Sequence, residues 1–150
     1  MKTETRVMLV AFDGSPSSKA ALEWAEKKAS LLDLKIEVVN VWEYAESPLD
    51  VAGVGFGSGG YVGESDPKIW SDQILKDGVG AIFGENADHI KVTSVEGGIV
   101  RTLVEMSNGA DLLVMGSRGH SKFVDLILGS VSASLSAKAK CPVVIVHAES

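Results

Sequence analysis

The sequence predicts an α/β fold: a single-domain, open, five-stranded parallel sheet with helices on both faces. Short apolar runs of strand length alternate with segments whose apolar residues recur at helical spacing. The apolar runs contain few polar residues, which is typical of strands that are buried on both faces. With 150 residues, 45% of them hydrophobic, residues 1–150 fit one domain with its own core.

The first half of the chain is predicted to form two strands and two helices. Residues 6–12 and 34–42 are the apolar runs that we predict as strands. Between them, Ser15 suits a helix N-cap and Pro16 suits the first helical position, where its missing N–H is no loss. We expect this helix over residues 17–32. Asp66 and Pro67 repeat the start signal before a second helix, although Gly78 and Gly80 each weaken it by roughly 1 kcal/mol relative to alanine.

The second half continues the alternation. Residues 90–95, 111–115 and 143–147 are predicted strands, and residues 99–107 and 130–140 are predicted helices. This order favours parallel strands joined by right-handed crossovers. We expect the last strand, from Val143 to His147, at an edge of the sheet, where a bare apolar strand invites pairing with another copy.

One segment breaks the pattern. Residues 47–65 contain six glycines, too many for a stable helix or strand. Both a mobile surface loop and a lid that closes over a ligand are compatible with this composition.

Charge and composition exclude several classes of function. A net charge of −6 disfavours a general nucleic-acid or acidic-membrane binder. We expect no membrane insertion, since no apolar run approaches about 20 residues, and no signal peptide. Cys141 is the single cysteine, which agrees with a reducing cytoplasm and with an inert thiol. Residues 101–150 carry five basic and four acidic side chains, so the surplus of acid lies in the first hundred residues, and any anion that the protein holds is expected in this last third.

A candidate phosphate site follows the fourth strand. Gly116 and Gly119 allow tight turns and close approach to a ligand, and Gly129-Ser130 then opens the last helix. Amides at a helix N-terminus favour phosphate. The glycines could equally serve ordinary turns, and Ser130 and Ser132 also suit a helix start. No Walker-type loop is present. A GxGxxG spacing occurs at residues 55–60, inside the glycine-rich segment, where it does not join a predicted strand directly to a predicted helix as a dinucleotide motif requires.

This G-x2-G-x9-G-S pattern resembles the nucleotide-binding motif of the universal stress protein family, in its ATP-binding subgroup. Asp13-Gly14-Ser15-x-x-Ser18 after the first strand and Cys141-Pro142-Val143 before the last are similar to that family as well. The resemblance implies the fold of adenine nucleotide alpha hydrolase-like proteins. It also implies ATP as the ligand, with Mg²⁺ able to accompany the triphosphate, and a homodimer through the strand from Val143 to His147.

The resemblance further implies a set of nucleotide-binding residues. Adenine and ribose would lie near Ala11, Asp13 and Val41, and Met115 would pack near the adenosine. The other implied residues flank the ribose or hold the phosphates, and they are Gly116, Arg118, Gly119, Gly129, Ser130, Val131 and Ser132. One departure is Gly97-Gly98-Ile99, where family members often have Gly-x-Pro. Asp13 could instead cap the first helix.

The implied function is that of a nucleotide-dependent regulator or sensor in the stress response. We find no nucleophile–base pair and no carboxylate dyad, so we assign no catalytic residue. The resemblance implies ATP binding with at most slow hydrolysis or phosphotransfer. The alternative is a dimeric interaction module of the same fold that binds no nucleotide. A related nucleotide-hydrolysing enzyme is less favoured, because Asp13-Gly14-Ser15 is not the SGGxDS loop of that class.

Overall fold

A computed structural model describes residues 5–44, 66–119 and 128–148. The glycine-rich segment 47–65 lies outside these described residues, as do His120 and Lys122. Five strands form one sheet, and they are β1 (Val7–Ala11), β2 (Lys35–Trp42), β3 (Lys91–Glu96), β4 (Leu112–Gly116) and β5 (Val143–Val146). Every pairing is parallel, and the order is β3-β2-β1-β4-β5. The predicted fold class is confirmed, and β5 lies at an edge as expected.

The helices begin where their start signals predicted. They are α1 (Pro16–Lys28), α2 (Pro67–Phe83), α3 (Ile99–Ser107) and α4 (Ser130–Lys138). Ser15 caps α1 by accepting a hydrogen bond from the Ser18 amide, and Asp66 caps α2 by accepting from the Lys68 amide at 2.8 Å. The first two helices thus start at a capping side chain followed by a proline, as local chemistry dictates.

The helix ends differ from the predictions. α1 stops at Lys28 instead of residue 32, and turns carry the chain on to Asp33, which has a left-handed φ of 56°. The Leu34 amide then donates to Ala29 O at 2.9 Å, closing the helix end. α4 stops at Lys138, since Ala139 is extended. A 3-10 helix, Gly84–His89, was not predicted.

The sheet separates two apolar layers, because alternate residues of each strand point to opposite faces. On one face, strand side chains pack beneath α1 and α2 with Ala21, Leu22 and Leu75. On the other face they pack beneath α3 and α4 with Leu103 and Leu135. Within the described ranges, no helix is both long enough and apolar enough to cross a bilayer.

Candidate functional site

The strand order reverses between β1 and β4. After β1 the chain passes through α1 to β2 on one side, whereas β4 lies on the other side of β1 and follows β3 through α3. In an open parallel sheet such a reversal leaves a crevice at the carboxyl ends of the two strands. Residues 13–15 follow β1 and residues 117–119 follow β4, so both sequence motifs end at this crevice.

The turn after β1 is held by buried polar groups. Asp13 is fully buried, and its Oδ1 accepts a hydrogen bond from the Ser15 amide at 2.9 Å. Gly14 adopts the left-handed region at a φ of 83°, which favours glycine. From β2, Asn40 Nδ2 donates to Phe12 O at 2.8 Å. The N-cap of α1 is therefore Ser15, and the Asp13 carboxylate instead shapes the turn in front of the helix.

The loop after β4 packs directly on the first turn of α1. Ser17 Oγ accepts from the Arg118 amide at 3.3 Å and donates to Arg118 O. A Cβ atom on Gly116 would lie 2.6 Å from the Ser17 carbonyl carbon. The need for glycine at position 116 therefore comes from the close approach of α1.

The start of α4 joins this loop. The Gly129 amide donates to Ser117 O at 2.7 Å, and Ser132 Oγ donates to the same carbonyl at 2.8 Å. A Cβ on Gly129 would lie 3.4 Å from Arg118 Cα. Ser130 is exposed at the first helical position. The first amides of a helix have no intrahelical acceptor, so they and the positive end of the helix dipole suit an anion at this point.

Four other predicted residues form the apolar layer beneath the crevice. Ala11, Val41, Met115 and Val131 belong to one buried cluster on the α3–α4 face. Ser132 is buried with them, and its hydroxyl lies within hydrogen-bonding distance of Ser117 O and Gly129 O. The hydroxyl of Ser132 is thus directed at the loop, where it holds the main chain in place.

Arg118 and Gly119 are half-buried beside the start of α4. The predicted site residues therefore come from β1, β2, β4, the loops after β1 and β4, and the start of α4. They lie around the carboxyl ends of the strands. Within the ranges that the structure describes, no three His, Cys, Asp or Glu side chains come together as a metal site.

Cys141 lies half-buried just before β5. Burial raises the pKa of its thiol above the ordinary value, and the Asp111 carboxylate adds to the effect. The thiol is therefore protonated at neutral pH, in agreement with an inert cysteine.

Sequence reasoning missed three contributors to the crevice: Ser17, Asn40 and Ser117. Ser17 and Asn40 have their side chains buried and bonded to main-chain atoms of the two loops, and Ser117 supplies the carbonyl on which α4 closes. The contact between Ser17 and Arg118 joins residues 101 positions apart. No local pattern could have indicated it, because serine is an ordinary residue in the first turn of a helix.

Comparisons with known proteins agree on one family. A family model described as the universal stress protein family matches residues 4–147. The stress response protein NhaX of Bacillus subtilis is 30% identical over 160 residues, which cover 93% of this chain and 96% of NhaX.

Two further comparisons extend this agreement. The universal stress protein Rv2623 of Mycobacterium tuberculosis is 30% identical over 149 residues, covering 95% of this chain and 48% of Rv2623. This chain therefore spans about half the length of that relative. The crystal structure of a universal stress protein in complex with cAMP is similar at a TM-score of 0.64 and 27% identity, covering 98% of this chain and 100% of that one.

Proposed function

This chain belongs to the universal stress protein family, and we propose that it binds ATP in the crevice between β1 and β4. In this proposal the bound nucleotide makes the protein a regulator or sensor in the stress response. The hydrogen bond from the Gly129 amide to Ser117 O carries the proposal, because it sets the loop after β4 against the first turn of α4. Main-chain amides arranged in this way are suited to a polyphosphate.

The residues around the crevice fit a nucleotide. Its adenine and ribose would lie over the apolar layer that contains Ala11, Val41 and Met115. The buried Asp13 carboxylate would face ribose hydroxyls, since a phosphate would be repelled by its charge.

The phosphates would lie against Gly116, Arg118 and Gly119 and against the first turn of α4, which supplies Gly129, Ser130, Val131 and Ser132. Mg²⁺ would then be held chiefly by phosphate oxygens and water.

The neighbour at 27% identity was solved with cAMP, which supports an adenine nucleotide as the ligand class. ATP carries a linear chain of phosphates, whereas cAMP carries a single cyclised one. We favour ATP because the G-x2-G-x9-G-S pattern resembles the motif of the ATP-binding subgroup, and because the amides of the first turn of α4 have no intrahelical acceptor. Hydrolysis or phosphotransfer, if it occurs at this site, is proposed to be slow.

Two measurements test the proposal. Heat denaturation of the purified protein should release any nucleotide that copurifies, for identification by chromatography. Thermal unfolding should then be recorded with ATP, ADP, AMP and cAMP. At a ligand concentration of 100 times Kd, binding adds about 2.7 kcal/mol, or about 5–10 °C for a chain of this size. The largest shift is expected with ATP.

A variant and a matched control locate the phosphates. Gly129→Val should abolish the shift with ATP. A Cβ at position 129 would already lie 3.4 Å from Arg118 Cα and from Ser117 O, so the methyl groups of valine would push the loop after β4 away from the start of α4. Gly109→Val should retain the shift, since a Cβ there meets only Met106 O at 3.9 Å, near the amino-terminal end of β4. A full shift in Gly129→Val would mean that the phosphates lie elsewhere.

The edge position of β5 supports a second proposal, a homodimer through this strand. All four of its residues are partly exposed. Pro142 O and Val146 O accept hydrogen bonds from β4, so the main-chain groups of Val143 and Ile145 point to the free edge. Such an edge can pair with a second copy.

Light scattering tests the dimer. We expect twice the monomer mass for the unaltered chain and the monomer mass for Ile145→Pro, which removes an outward N–H that the sheet itself does not use. A dimer that binds none of the four nucleotides would instead favour an interaction module. A monomeric unaltered chain would contradict the pairing.

A further inference from the structure

Serine hydroxyls from two helices form hydrogen bonds to the main chain of the loop after β4. From α1, Ser17 Oγ accepts from the Arg118 amide at 3.3 Å and donates to Arg118 O. From α4, Ser132 Oγ donates to Ser117 O at 2.8 Å. Both serines are buried, with exposed fractions of 5% and 2%. The two successive residues that lead into the loop are therefore fixed by one helix on each side.

The hydrogen bonds between Ser17 and Arg118 depend on the absence of a Cβ atom at Gly116 in β4. A Cβ on Gly116 would lie 2.8 Å from Ser17 Cβ and 2.6 Å from the Ser17 carbonyl carbon. Only a glycine lets the first turn of α1 come this close to the end of β4. The closeness gives the Ser17 hydroxyl access to both the N–H and the C=O of one residue.

We propose that Ser17 is a positioning residue of the nucleotide site, which fixes the main chain at Arg118 so that the loop stays in register with the first turn of α4. The inference rests on the proposed function. Ser17 is 5% exposed and its hydroxyl is committed to Arg118, so it acts through the loop. Replacing Ser17 should therefore weaken the binding of the phosphates. It should leave the binding of the adenosine, which lies over β1 and β2, nearly unchanged.

This division between phosphates and adenosine separates positioning from a merely structural role. A serine that only stabilised α1 would, when replaced, weaken all ligands alike or none. Removing a loop-fixing hydrogen bond should instead lower the affinity for ATP by about tenfold, as expected for a net loss near the upper end for one hydrogen bond. The affinity for adenosine should change by less than about twofold.

The experiment uses the full chain and calorimetric titration with ATP and with adenosine. Ser17→Ala is the test variant, and Ser17→Thr keeps the hydroxyl and should restore most of the ATP affinity. Ser136→Ala is the control, because Ser136 is an exposed serine of α4 whose hydroxyl bonds only locally to Ala133 O at 2.8 Å among the contacts described. Ser17→Cys, whose thiol is only a weak hydrogen-bond donor and acceptor, should show the same selective loss of ATP and serves as the test if Ser17→Ala does not fold.

A ligand-free measurement accompanies the titrations. Amide hydrogen exchange by NMR should show faster exchange at Arg118 in Ser17→Ala than in Ser136→Ala, because the Arg118 amide donates to Ser17 Oγ.

The outcomes separate this inference from the proposed function. If the unaltered chain binds ATP and Ser17→Ala binds it equally well, the inference is wrong and the proposed function stands. An equal loss of ATP and adenosine also refutes positioning. If the unaltered chain binds no nucleotide, both fail.

Discussion

Two glycines in one helix should respond to alanine with opposite signs. Gly78 and Gly80 both lie inside α2, and helix propensity alone predicts that alanine at either position stabilises the protein by about 1 kcal/mol. Their surroundings differ. A Cβ at Gly80 has open space within 4 Å, whereas a Cβ at Gly78 would lie 2.5 Å from Phe12 Cε1 and close to Phe12 Cζ.

The change in the free energy of unfolding for Gly78→Ala depends on how far the Phe12 ring can move. Its ring is 1% exposed and packs in the layer between the sheet and α1 and α2. Making room for a Cβ at position 78 therefore requires this buried ring to shift and to lose packing contacts within the layer. Overpacking of this kind costs about 1–3 kcal/mol, which outweighs the gain of about 1 kcal/mol in helix propensity. We expect Gly78→Ala to lower the free energy of unfolding by about 1 kcal/mol, and Gly80→Ala to raise it by about the same amount.

Urea denaturation measures both free energies. The two variants should differ by about 2 kcal/mol, or about 4–8 °C in Tm for a chain of this length. Phe12→Leu provides the decisive background, because leucine lacks the outer ring atoms that Gly78 contacts. In that background Gly78→Ala should become stabilising, and the coupling energy in the double-mutant cycle measures the contact. If Gly78→Ala stabilised the unaltered background as much as Gly80→Ala does, the reasoning from packing would be refuted.

Three further predictions concern other parts of the fold. Asp33→Gly should raise the free energy of unfolding, measured in urea, by about 0.5–1 kcal/mol, because Asp33 has a left-handed φ of 56° in the turn that follows α1. A lower free energy of unfolding would contradict the idea that the backbone of Asp33 is strained. Trp42→Phe should lower it by about 1 kcal/mol, since the bond from Trp42 Nε1 to Ser94 Oγ at 2.9 Å is lost; unchanged urea stability would refute this.

The third prediction in this group concerns pH. Burial raises the pKa of the Cys141 thiol in the folded protein, so the folded state holds the proton more tightly than the unfolded state. The corresponding stability is fully present below the unfolded pKa and is lost as pH rises through the folded value. Cys141→Ala should therefore reduce the fall in Tm at alkaline pH, and thiol reagents should modify Cys141 more slowly before unfolding than after it. Equal rates would contradict the pKa shift.

Local signals in the chain accounted for much of the fold. Ser15 with Pro16, and Asp66 with Pro67, marked the starts of two helices to the residue. These signals work without tertiary context, because a capping side chain and a proline act on amides within three positions of themselves. Helix ends were predicted less well, since α1 stops at Lys28 and the left-handed residue of the turn that follows it is Asp33, where no glycine marks the position.

The candidate site, too, was only partly predictable from the sequence. The pattern of Gly116, Gly119 and Gly129 predicted a turn after the fourth strand and a helix start at Gly129. The structure joins the two through the bond from the Gly129 amide to Ser117 O. The reason for glycine at 116 was not evident from the pattern. That reason is the neighbouring Ser17 of α1, which only the packed structure brings there.

The chain by itself determined the alternation of strands and helices, their order along the sequence and the two loop motifs that follow β1 and β4, because periodicity, caps and turns are encoded over a few neighbouring residues. Only the tertiary structure decided which side chains hold that edge in shape. Ser17 reaches Arg118, and Asn40 reaches Phe12 O, across 101 and 28 positions of sequence. Such contacts are specified by the packing of helices on a sheet, so they exist only once the core has formed.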